Sequence, residues 1–403
     1  IKLKEFKQAE TLLLKGININ PNFFNSYKSL GFLYLITGRT DECIYYFLKA
    51  LKLNSNNSFL YANLGTAYLR KSDLVNGKKI FEDGLKKFPN NSMIINAYSY
   101  LQLSNCEIGK GFESYEKRKI VNNYKLSFTK KTKEWNGENL DGKTLLILSE
   151  QGMGDIIQFS RYLFLLKERY SVKITFKIKK NLTYLFENTD IKLINNENEA
   201  GKFNYFQYLL SLPGIFYKLD KKFPPSINFI KPNKLLFNKW KDRLNKLKGP
   251  KIGISWQGDP SYPSDFMRSI PLIKFKKLFE LETLNFFSLL KGYGEDQIKE
   301  LQLNNRLINY SNEIDNGKNS FEDTIAILKN LDLVISCDTS LNHIASTMEI
   351  KTLLLLNHSP DWRWHINNKW YKNLKIFKQK ESNNWEHVIN DVRDEIEKLY
   401  LKN

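Results

Sequence analysis

The chain has 403 residues, of which 42% are hydrophobic, 14% aromatic and 26% charged, a composition that excludes an intrinsically disordered polypeptide. Its apolar runs have strand length and fall well short of the ~18 residues a membrane-crossing helix needs, so no membrane span is expected. Lys and Arg outnumber Asp and Glu by 62 to 43, but the net charge of +19 is split nearly evenly about residue 140. Without a concentrated basic stripe, this charge argues for a Lys-rich solvated surface and against a nucleic-acid partner, and it suits an anionic small-molecule substrate.

The first third repeats itself with a period of 34. Tyr27, Leu30, Gly31 and Tyr34 recur as Tyr61, Leu64, Gly65 and Tyr68, and Cys43, Phe47 and Ala50 recur as Gly77, Phe81 and Gly84. Pro21 and Pro89 stand two periods apart, and a more degenerate unit runs from Asn90 to about Lys119. Small residues at fixed offsets let paired helices approach, and larger ones fill the groove between them. The pattern resembles the tetratricopeptide repeat (TPR), which implies a helical solenoid over residues 1–120 whose first repeat is only half present. Such a solenoid would offer a surface to a protein or peptide partner. Residues 121–142, polar with Trp135 in their midst, are expected to be a connector.

From Lys143 the period changes to buried strands alternating with amphipathic helices, the pattern of a parallel sheet wrapped by helices. Strands are expected over Thr144–Ser149, Val172–Ile178 and Ile191–Ile194, with helices over Ile156–Arg169, Asn181–Glu187 and Lys234–Lys248. A second alternation begins after Gly249-Pro250, with strands over Lys251–Trp256, Asn285–Leu290, Leu333–Ser336 and Thr352–Leu356. Its helices are expected over Leu272–Leu281, Glu295–Leu301, Phe321–Leu331, Leu341–Thr347 and Trp385–Leu401. The fold class is thus α plus α/β: a helical solenoid followed by two tandem Rossmann-like lobes, residues 143–248 and 249–403. Ligands of such lobes lie at the carboxyl ends of the strands.

Four loops at those strand ends carry candidate chemistry. Glu150-Gln151-Gly152-Met153-Gly154-Asp155 joins a strand to a helix; its glycines permit a tight turn, and Asp155 is either a helix cap or an acid facing the cleft. Trp256 opens the loop that leads to Asp265 and Arg268; the guanidinium suits a phosphate, or a carboxylate such as Asp265. Lys291 follows the next strand as a point positive charge. In Cys337-Asp338-Thr339-Ser340-Leu341-Asn342-His343 a buried strand gives way to a helix start, where free N–H groups, hydroxyls and the helix dipole would receive an anion. The four histidines show no HxxxH spacing, so a metal site is disfavoured. Three cysteines without a disulfide framework or CxxC spacing, and no leader pattern at Ile1, set a reducing, cytoplasmic setting as the expectation.

Thr144 to Asp155, Gly253 to Pro271 with Trp256 and Arg268, Cys337 to His343, and Asp361-Trp362-Arg363-Trp364 together resemble bacterial TPR proteins whose C-terminal part is similar to glycosyltransferase family 9, the ADP-heptose heptosyltransferases. Repeats joined to a two-lobed transferase are also similar to the protein O-GlcNAc transferases. The resemblance implies a GT-B fold working without cofactor or metal, usually inverting, with the nucleotide-sugar on the C-terminal lobe and the acceptor, a protein or a glycan, on the N-terminal lobe. It implies Asp155 as general base, with Gln151, Gly152 and Gly154 on the acceptor side. It implies donor binding by Trp256, Arg268, Lys291, Asp338, Thr339, Ser340 and His343. Ser340 stands where heptosyltransferases often have Gly. A non-catalytic TPR scaffold with nucleotide-binding lobes, and a nucleotide-sugar epimerase on the same fold, are the competing readings.

Overall fold

In the computed structural model, which describes residues 2–124, 132–196, 199, 201–303, 305–366 and 370–401, the helices keep the 34-residue period to the residue. After α1 (Lys2–Ile19), the first helices of successive repeats are α2 (Phe24–Thr37), α4 (Ser58–Arg70) and α6 (Ser92–Ser104). Their partners are α3 (Thr40–Leu53), α5 (Leu74–Lys87) and α7 (Ile108–Tyr115), followed by the short α8 (Arg118–Val121). Asn57, Asp73 and Asn91 accept N–H bonds from the first turns of α4, α5 and α6, which fixes where those helices begin.

Close packing explains the repeated small residues. A methyl group at Gly31 would lie 2.4 Å from the ring of Phe47, and one at Gly65 2.5 Å from that of Phe81, so each glycine is the socket for the aromatic residue 16 positions on. Leu30, Phe47, Ala50, Leu60 and Leu64 are fully buried around these sockets. Cys43 shares that core, and burial pushes its thiol up to about 12, which makes it a packing residue rather than a reactive one.

The chain divides into two compact units, and the first takes in residues 359–368 as well as 1–125. The Asp361-Trp362-Arg363-Trp364 motif therefore stands with the repeats and not with the second lobe, where it was expected. Trp362 is buried with its ring edge-on to Phe112 at 5.5 Å, Ser359 Oγ donates to the carbonyl of Leu69 at 2.7 Å, and the thiol of Cys106 lies 3.7 Å from the carbonyl of His365.

The second unit holds two parallel sheets. In the first lobe come β1 (Lys133–Glu134), β2 (Thr144–Leu148), α9 (Met153–Phe159), α10 (Arg161–Arg169), β3 (Lys173–Lys177), β4 (Lys192–Ile194), β5 (Tyr205–Tyr208), α11 (Leu212–Asp220) and α12 (Lys234–Leu244), with sheet order β1-β5-β2-β3-β4. In the second come β6 (Lys251–Ser255), α13 (Asp265–Arg268), β7 (Asn285–Ser288), α14 (Asp296–Glu300), β8 (Leu307–Asn309), α15 (Glu322–Leu328), β9 (Leu333–Cys337), α16 (Ser340–Thr347), β10 (Thr352–Leu356), β11 (Leu374–Lys378) and α17 (Glu386–Tyr400). Their order, β11-β10-β9-β6-β7-β8, is that of a doubly wound sheet whose direction of growth reverses beside β6. β9 and β10 are buried along their whole length, as strands covered on both faces must be. The chain is thus an N-terminal TPR region followed by a C-terminal GT-B-like pair of parallel-sheet lobes. No helix among the described residues is long and apolar enough to cross a membrane.

Several elements differ from expectation. The helix expected over 156–169 is two, α9 and α10, because Ser160 turns its hydroxyl back onto the Ile156 carbonyl at 2.6 Å. The helices expected over Asn181–Glu187 and Leu272–Leu281 are 3₁₀ segments, Lys180–Phe186 and Leu272–Leu278. Strands β5, β8 and β11 were not anticipated, and the expected connector supplies β1. Trp135 is fully buried, donates to the Glu138 carbonyl at 2.8 Å and packs edge-on to Phe216, so the end of that connector is part of the first lobe.

The glycine sockets give a direct test. Gly65→Ala is expected to destabilise the chain by ~1–3 kcal/mol through overpacking against Phe81. Gly109→Ala, at a helical position with open space around it, is expected to gain ~1 kcal/mol from helix propensity alone. Urea unfolding midpoints of the two variants separate the outcomes.

Candidate functional site

Each lobe presents its first long strand to a reversal point, β2 between β5 and β3, and β6 between β9 and β7. The loops leaving β2 and β9 lead straight into α9 and α16, and those two helix starts meet. At Gly154 a methyl group would lie 2.9 Å from Cδ2 of His343 and 3.6 Å from the Cα of Ser340. Gly154 is therefore glycine because another helix occupies the space of its side chain. The tight turn itself falls to Gln151, whose φ of 59° is left-handed, while Gly152 is extended at φ −82° and caps the helix. Holding a non-glycine residue there costs ~1–3 kcal/mol, the kind of strain that clusters at functional loops. Gly154 is accordingly a packing residue between the lobes.

Asp155 is half-buried, and its Oδ2 accepts the N–H of Gly152 at 3.1 Å. It thus closes the first turn of α9 while staying half-buried, an arrangement both of the sequence alternatives allow. Glu150, which the sequence reading passed over, is buried and accepts the N–H of Leu210 at 3.1 Å, tying the β2 loop to the end of β5.

At the start of α16, Thr339 is the N-cap with extended backbone, and its hydroxyl does not cap the helix. Thr339 Oγ1 and Asn342 Nδ2 are buried and have no hydrogen-bond partner among the described residues. Two orphaned polar atoms in the first turn of an eight-residue helix, where backbone N–H groups have no intrahelical acceptor, are what an anion cradle would leave behind. Ser340 is half-buried beside them. His343 is buried, with Nδ1 2.8 Å from the hydroxyl of Tyr371 and Nε2 3.9 Å from Oδ1 of Asp338. Sequence reasoning missed Asn342 and Tyr371: the first lies inside the motif but reads as an ordinary helix residue, and the second is 28 positions from its partner.

Of the two partners the sequence left open for Arg268, the structure shows the carboxylate, Asp265. Its Nε donates to Asp265 at 2.8 Å, and its Nη1 donates to the carbonyl of Asp338 at 3.3 Å. Asp265 is buried and also accepts from Ser269 Oγ at 2.7 Å and Gln257 Nε2 at 3.1 Å, so one carboxylate gathers the whole loop after β6. Burial works against the Arg268 charge, but Asp265 more than restores it and holds the guanidinium above its ordinary value. Tyr262 stacks on it at 4.7 Å.

Two expected donor contacts stand differently. Trp256 is fully buried in the core of the second lobe, its carbonyl accepting the N–H of Ile270 at 2.8 Å, and its indole Nε1 is buried with no hydrogen-bond partner among the described residues. Lys291 is exposed beyond the end of β7, and its ammonium donates to the carbonyl of Ile314 and to Asn316 Oδ1, so two of its three donors fasten that loop. Among the described residues no group of three or more His, Cys, Asp or Glu side chains could hold a metal ion.

Gly154→Ala is expected to cost ~1–3 kcal/mol by forcing the His343 ring from its place. Denaturant unfolding checks the stability, and the imidazole resonance of His343 checks the displacement.

The family model of the tetratricopeptide repeat matches residues 12–45, and that of glycosyltransferase family 9 (heptosyltransferase) matches residues 296–396, a span that contains the Asp338 to His343 loop and Tyr371. Protein FlbA of Caulobacter vibrioides is 22% identical over 97% of this chain and 70% of its own length. The solved structure of a glycosyl transferase family 9 protein from Veillonella parvula aligns with a TM-score of 0.46 at 12% identity, over 66% of this chain and 92% of that one. The E. coli heptosyltransferase WaaC, solved with ADP-2-deoxy-2-fluoro heptose, aligns with a TM-score of 0.44 at 11% identity, over 64% and 99%. The chain thus joins a tetratricopeptide-repeat segment to a segment of glycosyltransferase family 9 (heptosyltransferase) type.

Proposed function

We propose that the chain is a glycosyltransferase that moves a sugar from a nucleotide-sugar to an acceptor hydroxyl, with inversion and without a metal ion. The observation that carries this reading is the meeting of α9 and α16, which sets the half-buried acid Asp155 one residue from the glycine packed on His343, beside a helix start with two orphaned polar atoms. Asp155 takes the proton of the acceptor hydroxyl as its oxygen bonds to the anomeric carbon, and the bond from that carbon to the diphosphate breaks. The departing charge falls on the first turn of α16, with Thr339, Ser340 and Asn342 as donors, while Arg268 steadies the loop carrying Asp338. A positioned base supplies ~10²- to 10⁴-fold. One preorganised donor to the leaving charge contributes ~3 kcal/mol. Lys291 keeps one ammonium hydrogen for the donor phosphates. The repeats dock a protein acceptor or partner, and the setting is the cytoplasm.

A second reading, lobes that bind a nucleotide without transfer, is favoured by the bond that holds Asp155 to its own helix. Asp155→Asn separates the two. The amide oxygen still caps Gly152 but no longer accepts a proton, so turnover is expected to fall by ~10²-fold or more while nucleotide affinity is kept. Transfer and donor hydrolysis with a panel of UDP-, GDP- and ADP-sugars measure it; unchanged turnover in the variant overturns the base assignment, and binding without turnover in the unaltered chain favours the scaffold.

A further inference from the structure

A buried cation lies behind His343. Arg161, the first residue of α10, is 2% exposed; its Nε donates to the carbonyl of Gln158 at 2.8 Å and its Nη1 to that of Trp370 at 2.6 Å. Among the described residues it has no carboxylate partner, and its neighbours on the ring side are aromatic: the guanidinium lies 4.7 Å from the centroid of Tyr371 and 5.5 Å from that of Trp370. A charge buried without a counter-ion is costly, and here it is met by two carbonyls and two π faces. Tyr371 is itself buried, and its hydroxyl is 2.8 Å from Nδ1 of His343. The opposite edge of the imidazole, Nε2, faces Asp338 Oδ1 at 3.9 Å and the α-carbon side of Gly154.

The contact between Tyr371 and His343 admits two hydrogen arrangements, and their consequences at the far side of the ring are opposite. Either the phenol donates to Nδ1 and the imidazole hydrogen sits on Nε2, or Nδ1 donates to the phenol and Nε2 offers a lone pair. Positive charge over the Tyr371 face draws electron density from its oxygen, which strengthens the hydroxyl as a donor and weakens it as an acceptor. The Asp338 carboxylate across the ring favours hydrogen on Nε2 for the ordinary Coulombic reason. Both influences act in the same sense. We infer that Tyr371, held by Arg161, is a positioning residue that fixes His343 with its hydrogen on Nε2, so that the ring turns a donor and not a lone pair toward the start of α16. Resting on the nucleotide-sugar reading above, this makes His343 one more neutral N–H for a nucleoside diphosphate, oriented by a residue that touches no ligand.

Nitrogen-15 NMR of the imidazoles in the full chain, with His343→Ala for assignment, tests the hydrogen placement without any nucleotide. Titration calorimetry with ADP, GDP and UDP tests its consequence. In the unaltered chain His343 is expected to carry its hydrogen on Nε2, and Tyr371→Phe is expected to mix the tautomers and weaken the nucleoside diphosphate in proportion to the fraction that loses the Nε2 hydrogen, ~2-fold at an even mixture. Added to His343→Ala, the same substitution is expected to cause no further loss, because it acts through the imidazole. A His343 hydrogen on Nδ1 in the unaltered chain, or an unchanged tautomer and affinity in Tyr371→Phe, overturns the role of Tyr371. Failure of all three nucleotides to bind the unaltered chain overturns the donor reading instead, and leaves the NMR result to decide the tautomer. Should Tyr371→Phe fail to fold by circular dichroism, Arg161→Gln, which removes the charge over the ring and keeps an N–H donor for a carbonyl, is expected to mix the tautomers as well, and an unmixed tautomer there overturns the role of Arg161.

Discussion

Two helix starts held within van der Waals reach of each other organise the second unit. Each N-terminus carries roughly half a positive charge, and bringing two together is unfavourable unless something negative lies near both. Asp155 answers the first by accepting the Gly152 N–H, and Asp338 stands beside the second, close to His343. Gly154 makes the approach possible by having no side chain, so the electrostatic problem and its steric permission sit within one turn of α9. An anion entering at α16 would extend the same compensation, and this is why the orphaned Thr339 and Asn342 atoms carry more weight than an equal number of unsatisfied atoms elsewhere.

The loop after β6 shows how much ordering one buried acid achieves. Asp265 accepts from Arg268, Ser269 and Gln257, and Arg268 passes the constraint on to the carbonyl of Asp338. The carboxyl ends of β6 and β9, neighbours at the sheet's reversal, are thereby joined by side chains as well as by the strand ladder. Breaking such a hub leaves several donors without acceptors at once, which costs more than the sum of its separate bonds suggests.

What the sequence revealed, and what it hid, follows from distance along the chain. The repeats were legible because their packing is local: Gly31 and Phe47, Gly65 and Phe81 meet through neighbouring helices, and the period records it. The alternation of lobes was legible wherever strands are buried on both faces, as β9 and β10 are. β5 escaped because Asn204 and Gln207 interrupt its apolar run; Gln207 is nonetheless fully buried, its amide donating to the Trp135 carbonyl at 2.7 Å across to β1. β11 escaped because an edge strand carrying Lys375 and Lys378 reads as surface. In the candidate site, the residues of the two helix starts were visible as motifs, whereas the burial of Trp256 in the core of its lobe depends on residues distant in the chain, and Arg161 meets the carbonyl of Trp370 across 209 positions. Pairings of that kind leave no local periodicity.

The placement of residues 359–366 with the first unit has a consequence for biosynthesis. Ser359 bonds to Leu69 across 290 positions, and Trp362 lies on Phe112 and Tyr115. A ribosome delivers the amino-terminal segment first, and domains ordinarily consolidate in that order. Here the helices emerge long before the tryptophan that completes their apolar surface, so the first unit is not finished until translation has run through ten strands, β1 to β10.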